Sequence, residues 1–187
     1  MSSSLFTRFL CHPGRVGAFC ASGRALAMEV SRFVGGTSVV ELGPGTGAIT
    51  RQIIEQLPEE TRFLAVELDC SMADHLRSAF PRAIIGCGCA SNLPKILQEN
   101  KMDPANVIVS GLPWALFPEK LQDEILDGVL AGMAPGGYFS TFAYLQGVML
   151  PAGVRFRRRL ESMFKTVETS PIIWRNLPPA FVYHCRK

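Results

Sequence analysis

Between residues 38 and 145 the chain alternates short apolar runs with longer amphipathic stretches. "SVVEL" (38–42), "RFLAVEL" (62–68), "AIIGCG" (83–88), "NVIVSG" (106–111) and "GGYFSTFAYL" (136–145) are short and rich in β-branched or aromatic residues, and predict five strands. The stretches between them carry apolar residues at helical spacing. They predict helices over 48–56, 71–79, 93–100 and 119–133. Two further strands are expected, around "KTVETSP" (165–171) and in "AFVYHCR" (180–186). Strands separated by helices pair in parallel and wind a sheet doubly. The last two have no helix between them, so they should form an antiparallel hairpin at one edge. The expectation is an α/β Rossmann-like sheet of seven strands.

Ahead of this region, residues 2–34 read as two helical pieces. The first, around Leu5 to Leu10, is broken by Pro13 and Gly14. The second runs from about Ser22 to Phe33, with Leu26, Val30 and Phe33 on one face, and ends at Gly35 and Gly36. The chain therefore divides into an N-terminal helical segment, 1–34, and an α/β domain, 35–187.

Composition changes this picture little. Of the 187 residues 48% are apolar and 19% charged, enough for a core, and no apolar run is long enough to span a bilayer. A net charge of +3 is too small to drive nucleic-acid binding by itself. Arg155, Arg157, Arg158 and Arg159 nevertheless cluster, either as a solvated face or as a contact for an anionic partner. The six cysteines form no CxxC pair and no zinc spacing, so reduced thiols and no metal site are expected.

The candidate chemistry begins at "ELGPGTG" (41–47), which links the first strand to the first helix. Gly43, Gly45 and Gly47 permit a tight turn and close approach of backbone to a ligand. The acid before them, Glu41, would repel a pyrophosphate and suits an ammonium. A second acid, Glu67, ends the second strand at the position suited to ribose hydroxyls. An ammonium-bearing ligand with a ribose is S-adenosyl-L-methionine, which leaves as S-adenosyl-L-homocysteine. Leu68 and Met72 are placed to flank the adenine, and Asp69 to cap the next helix. After the third strand an acid would accept the adenine amino hydrogens, and the chain has Cys89 there.

With "VVELGPGTGAIT", "VIVSGLPW" and "IIWRNLPPAFVYHCRK" in view, the chain resembles the bacterial phospholipid N-methyltransferases, relatives of the ribosomal RNA adenine dimethylases. "FLCHPGRVGAFCASGRALA" (9–27) resembles that family's N-terminal segment. The resemblance implies a class I S-adenosylmethionine-dependent methyltransferase sheet with an N-terminal helical extension acting as a membrane-associating lid. It implies cofactor contacts at Ser22, Glu41, Gly43, Gly45, Glu67, Ala90 and Ser110. An adenine dimethylase would place Asn at position 110 and carry a further helical domain. Ser110 and the short C-terminus favour the lipid enzyme.

Methyl transfer to an alkylamine needs deprotonation and in-line positioning. Ser110, Trp114 and Tyr144 are the candidate catalytic residues, the two aromatics either as a box for the developing ammonium or as packing residues. The acceptor is expected to be a phospholipid headgroup amine, phosphatidylethanolamine or its methylated forms. RNA adenine methylation is the alternative. "SLFTRFL" (4–10) and Arg155 to Arg159 are expected to meet an anionic membrane surface, placing the protein in the cytoplasm at the inner face of the membrane.

Overall fold

The structure is a computed structural model describing residues 23–187. A single sheet of seven strands runs through it in the order β3-β2-β1-β4-β5-β7-β6. The strands are β1 (Ser38–Leu42), β2 (Arg62–Glu67), β3 (Ile84–Cys87), β4 (Ala105–Ser110), β5 (Met133–Tyr144), β6 (Thr166–Thr169) and β7 (Ala180–Arg186). Strands β1 to β5 pair in parallel, with Val40 beside both Leu64 and Ile108. Strand β7 runs antiparallel to both β5 and β6, so the expected terminal hairpin forms, with β7 inserted and β6 at the edge.

The helices are α1 (Arg24–Val30), α2 (Ala48–Gln56), α3 (Cys70–Ala79), α4 (Leu93–Glu99), α5 (Glu119–Gly132), α6 (Leu145–Val148) and α7 (Pro151–Met163). They cover both faces of the sheet and bury two apolar layers. One gathers Val39, Val107, Ile49, Ile53 and Leu76 under α1, α2 and α3. The other gathers Leu42, Ile108, Leu126, Phe139 and Leu160 under α4, α5 and α7. Strand β1 is buried along its whole length, as the centre of a parallel sheet requires.

Packing corrects two expectations and places one further segment. Residues 24–30 pack on the domain, with Leu26, Ala27 and Val30 buried against the sheet. Glu29 of α1 also meets Nε2 of the buried His184 on β7 at 3.2 Å, while Ser140 Oγ lies 2.9 Å from its Nδ1. The stretch holding the arginines forms helix α7, which the charge pattern concealed; its buried stripe is only Phe156 and Leu160. Cys70 and Cys87 are not reduced thiols. The first residue of α3 and the last of β3 lie side by side, with Cα atoms 5.3 Å apart, and the two sulfurs are bonded. Residues 1–22 of the proposed lid, Ser22 and the Leu5–Leu10 piece included, lie outside the described residues.

Candidate active site

The site is built where β1, β2 and β4 end together. Beyond Leu42 the chain turns through Gly43, Gly45 and Gly47, whose φ angles are +70°, +54° and +82°. Two close approaches make the glycines necessary. A Cβ on Gly43 would stand 2.6 Å from Leu112 Cδ2, and a Cβ on Gly111 would stand 2.7 Å from the Gly43 carbonyl oxygen. Gly111 N–H also donates to the Leu42 carbonyl at 2.8 Å. The turn after β4 therefore rests directly on the glycine loop. Gly45 differs, because nothing lies within 4 Å of its Cβ position. That side of the loop opens outward.

Glu67 ties the loop to β2. Its Oε2 accepts from Gly45 N–H at 3.2 Å, and its Oε1 accepts from Leu68 N–H at 2.8 Å and Asp69 N–H at 3.1 Å. Asp69 caps α3, accepting from the N–H groups of Ser71 and Met72 at 2.9 and 3.2 Å. Half-buried Leu68 lies between these acids. A cleft of about 320 Å³ adjoins them, lined by Gly45, Thr46, Met72 and His75 among others.

Glu41 lies beneath the loop and is fully buried. Thr50 Oγ1 donates to its Oε2 at 2.7 Å, while its Oε1 has no partner. A buried carboxylate oxygen without a donor is costly and fits a cationic group placed against it. Burial pushes the Glu41 carboxyl up to about 8; the Thr50 hydrogen bond opposes the shift and the nearby charge of Glu67 adds to it. The unfolded chain releases this proton near 4.5 and the folded chain holds it to about 8. The resulting stability is complete below about 4.5 and is lost as pH rises through about 8. The expected slope in that window is roughly 1 kcal/mol per pH unit, and Glu41→Gln should flatten it. Denaturation at a series of pH values checks this; an unchanged slope in the variant would place the titration elsewhere.

Ser110 ends β4 fully buried, and its Oγ accepts from Leu112 N–H at 3.3 Å and Trp114 Nε1–H at 3.1 Å. Trp114 does not offer an open aromatic face. It is 3% exposed, stacks on Phe156 with ring centroids 5.0 Å apart, and is met edge-on by Phe117 and Phe139. Of the two readings open to it, this burial supports packing that holds the turn. Tyr144 ends β5 half-buried, three residues beyond Thr141, the neighbour of Ser110 across the sheet. Ala90 is buried and opens the short turn Ala90–Asn92 after β3. There Cys89, standing where an acid was wanted, accepts from Ser91 Oγ at 3.1 Å.

No family model matches the chain. An ornithine lipid N-methyltransferase of Singulisphaera acidiphila is 34% identical over 151 residues, which cover 79% of this chain and 74% of that protein. The chain belongs to the lipid N-methyltransferase family. A ribosomal RNA small subunit methyltransferase A of Thiobacillus denitrificans matches only locally, at 50% identity over 46 residues. Among solved structures, an O-methyltransferase of Bacillus cereus in complex with SAH superposes with a TM-score of 0.65 at 15% identity, covering 98% of this chain and 88% of that one. The O-methyltransferase TomG of Streptomyces achromogenes, in complex with SAM, gives 0.63 at 18% identity, over 88% and 79%. The fold is that of class I S-adenosylmethionine-dependent methyltransferases, and this enzyme is one.

The residues of the methyltransferase fit the group it uses. Glu41 Oε1 offers an unpaired acceptor for an ammonium, the open side of Gly45 admits a ligand against the backbone, and Glu67 stands where ribose hydroxyls would be held. Sequence reasoning overlooked Thr50 and Gly111. Thr50 is the only polar residue among the buried positions of α2, a signal visible once the helix is placed. The need for Gly111 arises only from contact with the glycine loop. Among the described residues no group of three or more His, Cys, Asp or Glu is arranged to hold a metal ion, and no helix is long and apolar enough to cross a membrane.

Proposed function

We propose that the methyltransferase adds methyl groups to a primary alkylamine in the headgroup of a membrane lipid, of the phosphatidylethanolamine or the ornithine-lipid type. The observation that carries this is Ser110. Its hydroxyl is taken up by Leu112 and Trp114, so the turn presents no side-chain amide with which to hold an adenine edge. An adenine amine, its lone pair drawn into the ring, needs such help; an alkylamine needs only to lose a proton and be aligned. The relative's substrate class, an ornithine lipid, supports the same reading.

S-adenosylmethionine, when bound, supplies a methyl group on a sulfonium, which passes to the amine nitrogen as the sulfur–carbon bond breaks. The chain's own part is placement. Glu41 and Glu67 would orient the donor from below and beside the glycine loop. The turn 110–114, braced on Gly43, would fix the wall against which the amine lies, with Tyr144 at its β5 side. Phosphatidylethanolamine and ornithine lipid share the recognised group, a protonated primary amine on a flexible stem.

The lid expected in residues 1–34 and the membrane's inner face belong to this proposal. The arginine cluster supports it less than its sequence does. Arg155 pairs with Glu119 at 2.7 Å, Arg157 with Glu161 at 2.8 Å and Arg159 with Asp123 at 2.8 Å. Exposed pairs of this kind contribute little to stability, yet they offset three of the four charges the cluster would offer a membrane.

The test is transfer of labelled methyl groups to phosphatidylethanolamine, to ornithine lipid and to total RNA, run in parallel. Label is expected in one or both lipids, as mono-, di- or trimethylated amine. Label in RNA and in neither lipid would move the acceptor to adenine.

A further inference from the structure

Large apolar side chains left exposed in the described structure are not scattered. Six of the nine, the four most accessible among them, fall in two short segments: Met149, Leu150 and Val154 around the start of α7, and Ile172, Trp174 and Leu177 between β6 and β7. Met149 is 87% exposed, Leu177 79%, Trp174 69% and Leu150 58%. Scattered single exposures need no explanation, but a cluster marks a contact surface.

The two segments leave the sheet side by side. Tyr144, the last residue of β5, pairs with Ala180, the first of β7, and Leu145 N–H donates to the Pro179 carbonyl at 2.9 Å. Both therefore stand at the carboxyl end of the parallel strands, where the active site opens. Neither 144–154 nor 170–179 contains a single Asp or Glu. Arg175 stands exposed next to Trp174, and Arg24 stands exposed beside Gly23, whose N–H donates to Asn176 Oδ1 at 3.0 Å. That bond also fixes where the chain enters the described structure.

We infer that the methyltransferase seats on an anionic bilayer through this rim, with Trp174 and Leu177 from one side and Met149 and Leu150 from the other entering the interfacial layer. The inference rests on the lipid reading above and names the surface that delivers the acceptor. An apolar rim without carboxylates, flanked by arginine, matches acyl chains below and anionic headgroups above. Tryptophan, part apolar and part hydrogen-bond donor, is suited to that boundary. The rim also takes over from the arginine face of α7, where three of the four guanidinium groups already have acidic partners.

Trp174 is its own reporter. The chain has two tryptophans, and the other, Trp114, is buried. The full-length protein is mixed with phosphatidylcholine vesicles with and without phosphatidylglycerol. With the anionic vesicles, tryptophan emission should shift to the blue and acrylamide quenching should fall. The double variant Trp174→Ser, Leu177→Ser should lose about a hundredfold in vesicle affinity, since each of the two side chains leaving water is worth about one factor of ten. Its thermal midpoint, and its turnover on a short-chain aminolipid dissolved as monomer, should match the wild type.

Vesicle binding by the double variant equal to that of the wild type overturns the inference. So does tryptophan already shielded from acrylamide before vesicles are added, which would mean that residues 1–22 or a second copy cover the rim. The two proposals fail separately. A wild-type protein that binds vesicles through the rim but methylates no lipid loses only its acceptor. A protein that methylates lipid while the double variant still binds vesicles loses only its rim.

Discussion

Glu67→Ala should lower the affinity for S-adenosylmethionine by roughly a hundredfold or more. In the structure this carboxylate receives three backbone N–H groups, those of Gly45, Leu68 and Asp69, and so holds the glycine loop against the end of β2. Each hydrogen bond to a charged group is worth about 1.5–3 kcal/mol. Alanine removes the proposed ribose acceptor and releases the loop together, so the two losses compound. Glu67→Gln is the sharper comparison. It keeps the shape, but one oxygen becomes a donor that cannot receive Gly45 N–H or Leu68 N–H. Its affinity should fall between those of the wild type and the alanine variant. Calorimetric titration with S-adenosylhomocysteine measures this without turnover. An affinity for Glu67→Ala within threefold of wild type would remove Glu67 from the cofactor site.

Trp114→Ala should destabilise the protein by about 3–5 kcal/mol, the usual cost of emptying a buried aromatic site. The side chain fills the space between Phe139, Phe156 and Phe117, and its indole N–H is one of two donors to Ser110 Oγ. Urea denaturation reads the loss directly. Trp174→Ala, at a side chain 69% exposed, should change stability by less than about 0.5 kcal/mol. Trp114→Leu separates packing from chemistry. Leucine fills part of the volume with no aromatic face, so below its melting temperature this variant should keep kcat within a few-fold of wild type. A collapse of kcat with KM unchanged would instead return the indole to the acceptor site.

The contrast between the two tryptophans shows where sequence legibility ended. Period-two and helical patterns placed every strand of the sheet, because burial on both faces writes itself into continuous apolar runs such as "SVVEL" and "NVIVS". The glycine turn after β1 and the acids that end β2 and precede the turn were equally legible. They depend on local geometry, a tight turn at a strand end and an acid ending the next strand. Helix α7 was not, because its apolar stripe is two residues wide and its arginines read as a free cluster.

What the sequence by itself determined is the parallel sheet with its antiparallel end, the glycine turn after β1 and the family. Each follows from neighbours a few residues apart or from a pattern repeated along the chain. Tertiary structure alone decided the rest. It put Trp114 inside and Trp174 outside, paired Arg155, Arg157 and Arg159 with acids on α5 and α7, and joined Cys70 to Cys87. It brought Gly111 onto Gly43 and left one oxygen of Glu41 unpaired. Apart from the Arg157–Glu161 pair within α7, these depend on residues distant in sequence meeting in the fold, and no local preference encodes which side chain will find a partner there.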